Sequence, residues 1–248
     1  MPELILNLLP LKEGEREEFE AIAPEAVHTY ARRSTVTAEQ LAAATIIFGW
    51  PKEDEMKSAA SLKWFQSMWA GTDEYANMLP DGVLFTSSSG SNSRSVAEHM
   101  LTSLMAVCRR LPSYLDSQRA HRWKDEGPMK TIFGGTVLVV GAGNVGSTFA
   151  KLCQGLGART IGLKRKAAGP IDGFDEVRAM DALDALLPQA DVVALTLPHS
   201  PQTAGLMNAA RIALMKDDAI LISAGRGTVL DQDALAEAMG AGKLWGAA

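Results

Sequence analysis

Short apolar runs alternate with amphipathic ones along most of this 248-residue chain. Residues 4–9 form an apolar run of strand length, and Glu13 to Ile22 is charged and amphipathic, which predicts a helix. Ala26 to Ala31 reads as a strand. Thr37 to Ala44 opens on a threonine suited to capping and predicts a helix, and Thr45 to Trp50 is β-branched and aromatic, hence a strand. A further apolar run spans Ser61 to Met68, and Val83 to Thr86 is strand-like. This alternation predicts a parallel sheet with covering helices. Ser87 to Ser95, rich in serine, glycine and asparagine, marks the expected boundary between a domain at 1–92 and a second at 93–248. Beyond it, Val96, Leu101, Leu104, Met105 and Cys108 recur at helical spacing within Val96–Leu111, and Gln118 to Met129 reads as a polar connector.

The pattern sharpens after Gly135. Val137 to Val140 is a strand, and Val145 to Leu156 a helix stopped by Gly157. Strands follow at Thr160–Leu163, Val192–Leu197, Ala219–Ser223 and Leu244–Ala248. Helices are expected near Leu183, near Ala209 and at Gln232–Met239, the last capped by Asp231 or Asp233. The fold class is α/β, a Rossmann doubly wound parallel sheet preceded by a smaller α/β domain.

Between the strand ending at Val140 and the next helix stands Gly141-Ala142-Gly143-Asn144-Val145-Gly146. This G-x-G-x-x-G gives each glycine a task. Gly141 allows a tight turn, Gly143 lets backbone approach a pyrophosphate, and Gly146 lets the helix pack against the strand. The free amides of the first helical turn, at Asn144 and Val145, and the positive end of the helix dipole favour phosphate there. The pattern predicts a bound dinucleotide. An NAD-preferring site places an acidic residue at the tip of the second strand, to meet the ribose hydroxyls. Here that tip is Lys164-Arg165-Lys166. A basic cluster pairs with a 2′-phosphate, so NADP(H) is favoured over NAD(H).

Composition adds bounds. Hydrophobic residues make up 47% and charged residues 21%, ordinary for a globular protein, and the formal net charge is −5. A mildly acidic chain lacks the basic footprint of a nucleic-acid binder. Cys108 and Cys153 sit in apolar helical patterns and read as buried free thiols, which fits a reducing cytoplasm. The amino terminus has no basic region or cleavage site and reads as a strand instead of a signal peptide. No window is apolar enough for a membrane span. No Cys/His spacing suits a metal, and Ser87 to Ser89 lacks the surroundings of a nucleophile.

Several segments resemble the D-isomer-specific 2-hydroxyacid dehydrogenases, especially the glyoxylate/hydroxypyruvate reductase-like members. They are Leu62-Lys63-Trp64 through Trp69-Ala70-Gly71-Thr72-Asp73, Ser95-Val96-Ala97-Glu98-His99, the glycine fingerprint, Ala190-Asp191-Val192-Val193 through Leu197-Pro198-His199-Ser200-Pro201-Gln202-Thr203, and Leu221-Ile222-Ser223-Ala224-Gly225-Arg226-Gly227 with Leu230-Asp231. The resemblance implies a flavodoxin-like amino-terminal domain that closes over the Rossmann domain, a small 2-oxo or 2-hydroxy acid as substrate, and a homodimer joined through the Rossmann domains. Arg226 matches the arginine that holds the substrate carboxylate and carbonyl oxygen, a task suited to its planar fork. Ala70 and Gly71 match the loop whose amides bind the carboxylate. Leu197, Pro198, Ala224 and Gly225 match positions lining the nicotinamide and adenosine ribose, and Val96 one beside the nicotinamide.

The same resemblance implies an acid/base histidine with a glutamate partner. In family members both follow the segment matching Gly242 to Ala248, so the natural chain is expected to continue. Among the histidines present, His28 falls in an early strand, His99 is expected to pack on the long helix, His121 to be solvated, and His199 to lie on the ribose side. Two other readings stand beside the reductase: a non-catalytic NADP(H)-sensing protein of the same fold, and a related dehydrogenase acting on formate or phosphite.

Overall fold

The computed structural model describes residues 2–75, 78–166 and 169–248. The chain divides into two compact units, Met1–Ser91 and Asn92–Ala248.

The first unit is built on β1 (Leu4–Asn7), β2 (Val27–Tyr30), β3 (Ile46–Gly49), β4 (Trp64–Ser67) and β5 (Leu84–Ser87). They form one parallel sheet in the order β2-β1-β3-β4-β5, the flavodoxin-like order. One face carries Leu6, Ile47 and Phe65, which bury with Leu41, Met56 and Tyr75. On the other, Phe48 meets Phe19 and Trp64 edge-on at 5.4 and 5.3 Å. The helix Ala38–Ala43 starts where expected because Thr37 and Gln40 form a reciprocal capping box.

The second unit is a six-stranded parallel sheet of β6 (Thr136–Val140), β7 (Arg159–Lys164), β8 (Glu176–Ala179), β9 (Val192–Leu195), β10 (Ile220–Ser223) and β11 (Gly246–Ala247). The order β11-β10-β9-β6-β7-β8 is the doubly wound Rossmann order, winding outward both ways from β6 and β9. Both faces are covered, and β6 shows why its sequence is uniformly apolar. Leu138 and Val140 enter one core with Leu163, Val193 and Leu221. Val137 and Val139 enter the other with Phe149, Ala194 and Ile222. The helices Ser93–Cys108 and Asn144–Gly155 cover the second of these faces. Cys108 and Cys153 are buried there as free thiols.

Four expectations need correction. The long helix is Ser93–Cys108, not Val96–Leu111, because Arg110 takes a left-handed φ of 50° and breaks it. A separate helix, Leu111–Arg119, follows, started by Pro112, so the expected polar connector at Gln118 begins inside a helix. Strand β8 went unread because an edge strand of sequence Glu-Val-Arg-Ala carries little apolar signal. Asp231 alone caps the helix Gln232–Gly240, accepting the Ala234 amide at 3.0 Å, while Asp233 lies in its first turn.

Candidate functional site

The strands of the second unit are parallel, so the loops after β6, β7, β9 and β10 gather at one sheet edge. The fingerprint turn is anchored there twice. The amides of Gly141 and Ala142 both donate to the Leu163 carbonyl, at 3.1 and 2.8 Å. The Thr196 hydroxyl donates to the Gly141 carbonyl at 2.7 Å. Gly141 has a φ of 121°, and a Cβ there would stand 2.8 Å from Thr196 Oγ1. A Cβ on Gly146 would meet the Gly141 carbonyl oxygen at 2.2 Å, so this position must be glycine for the helix to approach.

Gly143 differs from both. A Cβ there would find nothing within 4 Å, and the residue is exposed. The first intrahelical bond of Asn144–Gly155 runs from Ser147 N to Gly143 O. The amides before it have no intrahelical acceptor and sit at the positive end of the dipole. Open space at Gly143 beside these donors fits a pyrophosphate.

Lys164 ends β7 one residue past the carbonyl that anchors the fingerprint turn. Lys164, Arg165 and Lys166 are all exposed, and among the described residues no ion pair engages them. The strand tip beside the fingerprint therefore carries positive and not negative charge.

The loops after β9 and β10 are stitched together. Ala224 N donates to Leu195 O at 3.0 Å and Arg226 N to Leu197 O at 3.3 Å. A Cβ on Gly225 would stand 2.7 Å from Leu197 O, so Leu197, Ala224, Gly225 and Arg226 form one narrow backbone ledge. Pro198 is exposed beside it, and its carbonyl accepts the Thr203 hydroxyl at 2.7 Å. The Arg226 side chain is exposed at the start of the turn Gly227–Val229. Val96, in the first turns of Ser93–Cys108, packs on the same core as Val145. Ala70 and Gly71 lie in the first unit, past the carboxyl end of β4, where Trp69 O accepts the Ser88 amide at 3.1 Å.

Asp191 braces the base of this sheet. Its Oδ2 accepts the Thr136 amide at 2.8 Å and its Oδ1 the Lys216 ammonium at 2.6 Å. Burial pushes the carboxyl up, but these two bonds outweigh it and hold the group below the usual range.

The histidines supply no buried acid/base pair among the described residues. His28 Nε2 lies 2.9 Å from Ala23 O, and His121 is exposed in a turn. His99 is exposed, not packed, because it falls on the outer side of its helix. His199 is exposed with Nδ1 2.8 Å from Thr228 Oγ1. Sequence reasoning missed Thr196, whose only signal was a hydroxyl at the end of an apolar strand. The described residues contain no group of three or more metal-ligating side chains, and no helix long and apolar enough to cross a membrane.

Comparison with known proteins agrees with this geometry. The family model described as D-isomer specific 2-hydroxyacid dehydrogenase, NAD binding domain, matches residues 101–248. A D-3-phosphoglycerate dehydrogenase of Mycobacterium bovis is 34% identical over 234 residues, 93% of this chain and 41% of that protein. One from Haemophilus influenzae is 39% identical over 161 residues, 64% of this chain and 38% of its own length. The chain thus spans about two fifths of the length of these curated relatives. Among solved structures, a D-isomer specific 2-hydroxyacid dehydrogenase family protein from Aeromonas salmonicida superposes with a TM-score of 0.87 at 27% identity, covering 100% of this chain and 80% of that one. An NADPH-dependent glyoxylate/hydroxypyruvate reductase from Sinorhizobium meliloti, solved with NADP and sulfate, gives 0.80 at 25% identity, covering 99% and 79%.

Proposed function

The chain belongs to the D-isomer specific 2-hydroxyacid dehydrogenase family, and on that basis we propose that it is an NADP(H)-dependent reductase of small 2-oxo acids of the glyoxylate and hydroxypyruvate kind. The observation that carries this reading is the basic strand tip. The carbonyl before Lys164 anchors the fingerprint turn, and no carboxylate stands at 164–166 to meet ribose hydroxyls. Lys164, Arg165 and Lys166 supply charge for a 2′-phosphate, and NADP bound to the similar Sinorhizobium reductase supports the choice.

In this reading Gly141, Gly143, Asn144, Val145 and Gly146 hold the pyrophosphate through backbone amides. Leu197, Pro198, Ala224 and Gly225 line the nicotinamide and the adenosine ribose, with Val96 beside the nicotinamide. When bound, the nicotinamide supplies the hydride that reduces the carbonyl. Arg226 holds the substrate carboxylate and polarises the carbonyl oxygen, since a guanidinium stays charged and can grip two oxygens at once. Family resemblance assigns Ala70 and Gly71 of the first unit to a loop whose amides bind a carboxylate. Family resemblance assigns the proton to a histidine in the segment that follows the one matching Gly242 to Ala248.

The test uses the full-length gene product. Its tryptophan fluorescence is titrated with NADPH and NADH, and oxidation of each is followed with glyoxylate and hydroxypyruvate. Tighter NADPH binding and turnover of a 2-oxo acid are expected. Arg226→Ala should lower turnover and raise the substrate KM while leaving the NADPH dissociation constant nearly unchanged. Preference for NADH would overturn the cofactor assignment. Binding of NADPH without reduction of any 2-oxo acid would favour a sensing protein.

A further inference from the structure

The first unit holds a cavity of about 1210 Å³ over the carboxyl ends of β1, β2 and β3. The strand order reverses here, because β1 has β2 on one side and β3 on the other. Crevices at such reversals are where open parallel sheets take ligands. The walls come from residues 8–11 after β1, residues 31–35 after β2, and Trp50 and Lys52 after β3.

The lining is charged with one sign. Arg16, Arg32, Arg33 and Lys52 border the cavity and no carboxylate does, in a chain whose net charge is −5. Lys52 has Glu55 at 3.6 Å, and the Arg16 guanidinium lies 4.7 Å from the Tyr30 ring centre. Arg32 and Arg33 are exposed, and among the described residues neither has an ion pair. At the end of β1 the wall is set by Asn7, a lining residue only 2% exposed. Its Oδ1 accepts the Leu9 amide at 2.9 Å, which fixes the orientation of the side-chain amide. Its Nδ2 is then a buried donor with no acceptor among the described residues.

We propose that this crevice binds a small phosphomonoester. Arg32 and Arg33 supply the paired charge. Two guanidinium groups match an anion with several acceptor oxygens and more than one charge. The lining lies within residues 7–52 of the first unit, and the proposal does not depend on the reductase reading.

Inorganic phosphate is the probe, added to the full chain at constant ionic strength. The indole N–H signal of Trp50, assigned with Trp50→Phe, reports binding by NMR. The Trp50 signal should shift with a millimolar dissociation constant. Replacing both arginines, Arg32→Ser with Arg33→Ser, should weaken binding at least about tenfold, while Lys164→Ser with Arg165→Ser leaves it unchanged. No shift of Trp50 through the millimolar range, or equal affinity after loss of the two arginines, would overturn the proposal. NADPH titration of the arginine variant, expected to match the parent, separates failure here from failure of the cofactor reading.

Discussion

The hydroxyl of Thr196 donates to the carbonyl of Gly141 at 2.7 Å, tying the end of β9 to the fingerprint turn after β6. These two strands are adjacent at the point from which the sheet winds both ways. The bond holds the turn from the β9 side while Leu163 holds it from the β7 side. A neutral hydrogen bond of this kind contributes about 1 kcal/mol. Its greater effect is to fix where the helix amides point.

The glycines of the fingerprint should separate into two kinds. Gly146→Ala places a methyl 2.2 Å from the Gly141 carbonyl oxygen and should cost about 3 kcal/mol in chemical denaturation. Gly143→Ala meets open space and should change stability by less than about 1 kcal/mol, yet weaken cofactor binding at least tenfold. Unaltered affinity in the Gly143 variant would remove the pyrophosphate from this turn.

The basic strand tip should set cofactor choice. Lys164→Asp with Arg165→Ala reverses the charge beside the turn, and the NADPH over NADH preference should fall at least about tenfold. An unchanged ratio of dissociation constants would show that the 2′-phosphate is not read here.

Asp191 gives a pH signature. Its folded carboxyl is held below the ordinary range, so it contributes stability above the unfolded value near about pH 4, and that contribution is lost as pH falls through the lower folded value. Asp191→Asn should therefore cost about 1 kcal/mol at neutral pH, the carboxylate being partly open to water. The difference from the parent should shrink in urea titrations below about pH 4. A constant difference across that range would contradict the linkage.

The thiols should be inert in the folded chain. Burial, with Cys108 nearby, pushes Cys153 up to about 12, and burial raises Cys108 against the pull of Lys130 and Arg109. Ellman's reagent at about pH 8 should label neither cysteine until the protein is denatured, because the thiolate is the reactive form. Rapid labelling of the native protein would mean that the helix Ser93–Cys108 opens readily from the sheet.

Much of the second unit was legible because its strands are buried on both faces and flanked by glycine. The apolar block at Val137–Val140, the stop at Gly157 and the cap at Asp231 each carry a local physical cause. The edge strand Glu176–Ala179 and the helix Leu111–Arg119 were not legible. One has a single neighbour and little apolar content, and the other depends on a left-handed turn at Arg110. The fingerprint and basic tip could be read because their residues are contiguous. Thr196 could not, since its importance comes from a partner 55 positions away.

The sequence by itself determined the α/β class of the chain and the place of the glycine-rich turn between β6 and its helix, since apolar periodicity and the glycine spacing act over a few residues. Only the tertiary structure decided which side of each strand faces which core, and that Asn7, Arg32 and Lys52 share one crevice. Parallel strands bring residues tens of positions apart to one sheet edge, and that convergence is set by crossover packing, which no local pattern records.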